Sequence, residues 1–201
     1  CAFGFGFFLF GNYWISISLT HDESFKSLIP IALIFIPLFL SIFFGFVVLI
    51  VGPYAEKNIS FLLFFSLIFV IFEFCRGNIL TGFPWNLISY SWSWSIEFIQ
   101  ILSLLGAYAF SLISVTIFCS PFLFFKKKIN KANFIFLSII LIFIIGNYFY
   151  GLHKLKNTNY DLNEKIIVKV VSPNLSLENY KSQTEVLQLK ELIKISNPDK
   201  N

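Results

Sequence analysis

Five long apolar runs, parted by short polar turns, fill most of the first 157 residues of this 201-residue chain. They lie at 3–19, 28–51, 59–75, 96–125 and 134–150. A bilayer crossing takes roughly 20 apolar residues, with about 17 as the lower limit, so the first and fifth runs are near that limit. In hydrocarbon every backbone amide and carbonyl must be bonded within the chain, which makes each run a helix. The chain is 57% hydrophobic and 13% charged. A water-soluble domain of this size could not hide so much apolar surface. The expected fold is therefore an α-helical multi-span membrane bundle of about five spans.

The net charge of +4 is no argument for a nucleic-acid partner. Much of it sits in Lys126, Lys127, Lys128 and Lys131, in a short loop between two apolar runs. Such a cluster marks the cytoplasmic side. Alternation of the loops then puts 52–58 on the same side, and 20–27, 78–95 and everything after 151 outside. The chain begins at Cys1 and contains no Met, which reads as an internal piece of a longer protein.

Beyond 157 the pattern changes. Residues 166–171 read IIVKVV, a β-branched run expected to form a buried strand. Pro173 and Asn174 stop it, and Ser176 is a candidate cap for an amphipathic helix over 177–195. Strand, turn and helix in that order open an α/β sandwich. The domains expected are thus a transmembrane helical domain, 1–156, and the truncated start of a sandwich domain, 157–201.

Within the bundle, Gly4, Gly6 and Gly11 let helices approach closely, and Pro30 and Pro37 interrupt the second run. Cys1, Cys75 and Cys119 have no paired spacing, and neither His21 nor His153 stands near a Cys-x-x-Cys, so no metal or other cofactor is expected. No catalytic set is visible. Glu73 and Arg76 are spaced to share a helix face. They read either as an interfacial ion pair reaching toward water or as a polar floor for a lipid headgroup, where an arginine grips phosphate with two bonds. Trp85, Tyr90, Trp92 and Trp94 crowd one outer segment, which reads as an interfacial aromatic belt. Gly82-Phe83-Pro84-Trp85 adds to that, because glycine frees the backbone and proline fixes it, so the rings are held in set directions. The segment 78–95 is expected as a re-entrant loop beside a groove. Trp14 ends the first run on the same face, for packing or for contact with lipid. Gln100 and Tyr108 are candidates for bonds between helices.

The string Glu73-Phe-Cys-Arg76-Gly77-Asn-Ile-Leu-Thr81-Gly82-Phe83-Pro84-Trp85 resembles the E-x-x-R-G and T-G-F-P-W segment of apolipoprotein N-acyltransferases, membrane enzymes of the nitrilase superfamily. The glycine- and aromatic-rich stretch 4–19 and the Val171-to-Asn174 strand end, followed by a polar helix, are similar to further parts of that family. The resemblance implies an acyltransferase that moves a fatty acyl chain from a phospholipid to the N-terminal amine of a diacylglyceryl-modified lipoprotein. It implies a nucleophilic Cys, a Glu base and an oxyanion-steadying Lys, none of which matches a residue here, so this piece alone is expected to be inactive. It implies the bacterial cytoplasmic (inner) membrane, with a nitrilase-like domain on the periplasmic side starting at 157–201. It places Arg76, Phe83, Trp85 and Tyr90 near the substrate entrance, with Glu73 and Trp14 as further substrate-site candidates. Two other readings are a multi-span transporter and a non-enzymatic membrane anchor with a soluble tail.

Overall fold

The computed structural model describes residues 1–79, 82–125, 131–157 and 185–196. The chain divides into two units, Cys1–Thr158 and Asn159–Asn201. In the first unit the helices are α1 (Ala2–Asn12), α2 (Ile15–Ser18), α3 (Ile29–Val51), α4 (Ile59–Asn78), α5 (Ile96–Ile99), α6 (Leu102–Cys119) and α7 (Lys131–Asn157). Four helical stretches, Glu23–Tyr54, Ile59–Asn78, Leu102–Phe124 and Lys131–Asn157, are long and apolar enough to cross a membrane. The bent pair Ala2–Asn12 and Ile15–His21 makes a fifth if counted as one span. Large apolar side chains such as Phe10, Phe35, Leu49 and Ile142 face outward, while Ser41, Ser66, Ser89, Ser111 and Ser114 are buried. That inversion suits a lipid solvent, where small polar residues pack between helices.

The expected spans need three adjustments. The first run is not one helix: it bends by 47° between α1 and the stretch after Trp14. There Trp14 Nε1 donates to the Gly11 carbonyl at 3.1 Å, taking the acceptor that a continuing helix would offer to Ile15. The run 96–125 is also broken. α5 ends at Ile99, and α6 carries a non-helical residue, Gly106, at φ 75°. The fifth span is longer than its apolar core, since α7 runs on through the polar residues up to Asn157.

α1 packs on α3, α3 on α4 and α4 on α6, whereas α5 packs on α7. Gly4 admits Phe44 of α3, as expected of a close helix contact, but Gly6 faces open space. Val47, Val51, Phe69 and Val115 form one core, and Trp92, Ile101 and Phe110 another. The ring of Phe61 lies 5.9 Å from that of Phe122, and that of Phe74 lies 5.3 Å from that of Tyr108, so α4 and α6 run antiparallel. The end of α1, the end of α4, the segment 82–103 and the end of α7 consequently share one end of the bundle. This matches the alternation expected from the loops.

In the second unit the helix α8 (Glu185–Ser196) is described. It overlaps the amphipathic stretch expected at 177–195 and ends one residue beyond it. No strand occurs among the described residues, and the strand expected at 166–171 lies outside them.

Candidate functional site

α4 ends where its carbonyls find partners in the chain that follows. Ile79 N donates to Cys75 O at 2.7 Å, and Phe83 N donates to Arg76 O at 3.0 Å. The return depends on Gly82, whose φ of 73° lies in the left-handed region and whose added Cβ would overlap the Gly77 carbonyl. The chain thereby doubles back over the last turn of α4.

Two charged side chains of that turn hold the returning segment. Arg76 is 3% exposed, and its Nη1 donates to Phe83 O at 2.8 Å and to Trp85 O at 2.7 Å. The guanidinium carbon also sits 5.0 Å above the centre of the Phe8 ring of α1. Glu73 is 4% exposed and accepts from Ile88 N at 2.9 Å through Oε1. The sequence reading of an interfacial ion pair reaching toward water is therefore corrected. Both groups are buried, and both are engaged by main-chain atoms of the loop. Spacing shows that two residues share a face, but it does not show what returns to cover that face.

Further along, Ser89 N donates to Ser111 Oγ at 3.1 Å, and Trp92 Nε1 donates to Ser114 Oγ at 2.9 Å. Trp92 is buried against Phe98 and Phe118, so it is a packing anchor rather than part of an aromatic belt, whereas Trp85 and Trp94 are exposed. Asn86, at φ 56°, donates from Nδ2 to Asn12 Oδ1 at 2.6 Å, tying the segment to the end of α1. Neither Asn was expected as a site residue; a polar pair separated by more than seventy residues leaves no local pattern. Gln100 Nε2 turns back to Ile96 O, within its own stretch. Tyr108 instead sets its hydroxyl against Gly77 of α4.

The result is an apolar groove of about 400 Å³, lined by Ile15, Phe35, Ile36, Phe39, Leu40, Phe43, Ile79 and Phe83, with Gly82 and Arg76 completing the lining. Of the expected site residues, Arg76 and Phe83 line it together. Trp14 and Trp85 meet edge to face beside it, ring centres 5.6 Å apart. Glu73 sits behind Arg76, where both border a much smaller pocket. Tyr90 stands apart, exposed on the 3-10 turn Ile88–Trp92. Apolar walls with a single guanidinium among them suit an amphiphile. Among the described residues there is no group of His, Cys, Asp and Glu that could hold a metal ion.

Residues 1–120 match the family model described as apolipoprotein N-acyltransferase N-terminal domain. The chain belongs to that family. It is 37% identical over 174 residues to the apolipoprotein N-acyltransferase of Rickettsia prowazekii (strain Madrid E), an overlap of 86% of this chain and 34% of the relative. With the enzyme of that name from Rhodopseudomonas palustris it shares 28% over 195 residues, covering 92% of this chain and 36% of the relative. With that from Brucella melitensis it shares 27% over 177 residues, 87% and 33%. The chain thus spans about a third of the length of the curated relatives it matches. No solved structure matches it. Family membership and the apolar helices make this a multi-pass membrane protein.

Proposed function

We propose that this chain is the membrane part of an apolipoprotein N-acyltransferase that moves a fatty acyl chain from a phospholipid to the N-terminal amine of a diacylglyceryl-modified lipoprotein. The family match over residues 1–120 carries the reading. The groove supports it: its walls suit an acyl chain, and Arg76 offers the one cation among its lining residues. In this reading Phe83 lines the lipid path, Trp14 and Trp85 border it, and Glu73 holds the loop that shapes it. Tyr90 sits at the outer rim. Covalent acyl transfer runs through a Cys, a Glu and a Lys outside this chain, which splits one difficult step into two. Residues 157–201 begin the nitrilase-like domain on the periplasmic side of the inner membrane.

The transporter reading expects paired broken helices meeting near the bilayer midplane. Of the breaks here, those after Asn12 and after Ile99 lie at the same end of the bundle, and the Pro37 interruption of α3 lies beside the first of them. A plain anchor has no need of a loop secured by two buried charges.

The test is acyl transfer itself. The full-length protein containing this chain is incubated with phospholipid vesicles and a diacylglyceryl lipopeptide, and the peptide is weighed by mass spectrometry. A gain of one acyl group is expected. No gain, under conditions where a relative acylates the peptide, overturns the reading. The 201-residue chain alone is expected to give none.

A further inference from the structure

Two interrupted helices meet at one small cavity. Pro37 lies inside α3 and has no amide hydrogen, so the Leu33 carbonyl, one turn earlier, loses its helical donor. In lipid such a carbonyl persists where a neighbouring group satisfies it. Asn12, the last residue of α1, is 4% exposed and lines the same cavity as Leu33, Pro37 and Ser16. Its Oδ1 accepts from Asn86, but its Nδ2 is buried with no partner. The cavity measures about 10 Å³. One water needs roughly 10–15 Å³ of such space and two to four polar partners.

We propose that this cavity is a site for a single water molecule, which accepts from Asn12 Nδ2 and donates to the Leu33 carbonyl and to Ser16 Oγ. The Ser16 hydroxyl hydrogen goes to Tyr13 O at 2.6 Å, which leaves its lone pairs for the water. Three partners suit a buried water. Leu9, Tyr13, Ile15, Ala32 and Ile36 make up the rest of the lining, and a volume of about 10 Å³ holds nothing larger than a water. The water joins the bend of the first span to the proline break of α3, and through Asn12 it reaches the loop that follows Trp85. The inference stands independently of the acyltransferase reading.

The test is a double-mutant cycle on the full-length protein in detergent. Pro37→Ala restores an amide donor to Leu33 and removes the need for the water. Asn12→Leu is expected to lower Tm by about 4–8 °C with Pro37 present and by about 2–4 °C less in the Pro37→Ala background. Asn86→Ala combined with Pro37→Ala should be additive. If Asn12→Leu does not fold, Ser16→Ala takes its place in the cycle, with the same sign expected. An experimental structure that resolves ordered water should show density 2.7–3.2 Å from both Asn12 Nδ2 and Leu33 O. An additive cycle, or a direct Asn12–Leu33 bond with no density between them, overturns the proposal.

Discussion

Arg76 and Phe83 are bonded to each other twice: the arginine Nη1 donates to the Phe83 carbonyl at 2.8 Å, and the Phe83 amide returns to the Arg76 carbonyl at 3.0 Å. One bond uses a side chain and the other uses only backbone. Together they fold the chain back over the end of α4, and the groove takes its shape there.

Removing the charged half of that link is expected to be costly. Arg76→Met leaves the Phe83 and Trp85 carbonyls without their charged donor, a loss of about 2–4 kcal/mol in stability. Arg76→Lys retains a charge but not the planar fork, and should fall between Met and wild type. Thermal unfolding of the purified protein in detergent measures both.

Glu73 offers a sharper contrast. Its Oε1 accepts from the Ile88 amide, which Gln can replace and Leu cannot. Glu73→Gln should change stability by less than about 1 kcal/mol, whereas Glu73→Leu should cost about 1–3 kcal/mol by leaving that amide unsatisfied. Hydrogen exchange at Ile88 should speed up in the Leu variant alone.

Gly82→Ala combines a left-handed backbone with an overlap on the Gly77 carbonyl. A loss of more than about 1 kcal/mol is expected. Proteolysis between 82 and 95 should quicken, with α3 unaffected.

Gly151 of α7 lies directly against the Glu97 carbonyl of α5, and Asn147 Nδ2 donates to Phe98 O at 3.1 Å nearby. Gly151→Val should push α5 off α7. The readout is faster hydrogen exchange over 96–101, with 59–75 unchanged.

Orientation has its own test. On a cysteine-free background, a membrane-impermeant maleimide applied to intact cells should label Ser93→Cys and leave Asn130→Cys unlabelled. The reverse pattern would place the lysine loop outside.

Helix number was legible because apolar runs of spanning length have few alternatives in lipid. The breaks were not. Within 96–125 the break falls at Gln100 and Ile101, where Glu97, Gln100 and Ser103 are scattered singly through an otherwise apolar run, and Gly106 looks like any packing glycine. Glu73 and Arg76 stood out as ionisable groups at membrane depth. Their partners did not, because main-chain atoms carry no sequence signature. Likewise, Trp85 and Trp92 look alike in sequence, and what sets them apart is the distant Phe118 and Ser114 that receive Trp92.

The hold that Arg76 and Glu73 exert is on carbonyls and an amide, groups that nearly every amino acid supplies. The course of the loop is thus separated from the identity of its outward rings. Substitutions at positions such as 85 or 90 can alter what the rim presents while its path stays the same. Two inward-facing charges fix the outline, and the exposed aromatics remain free to vary within it.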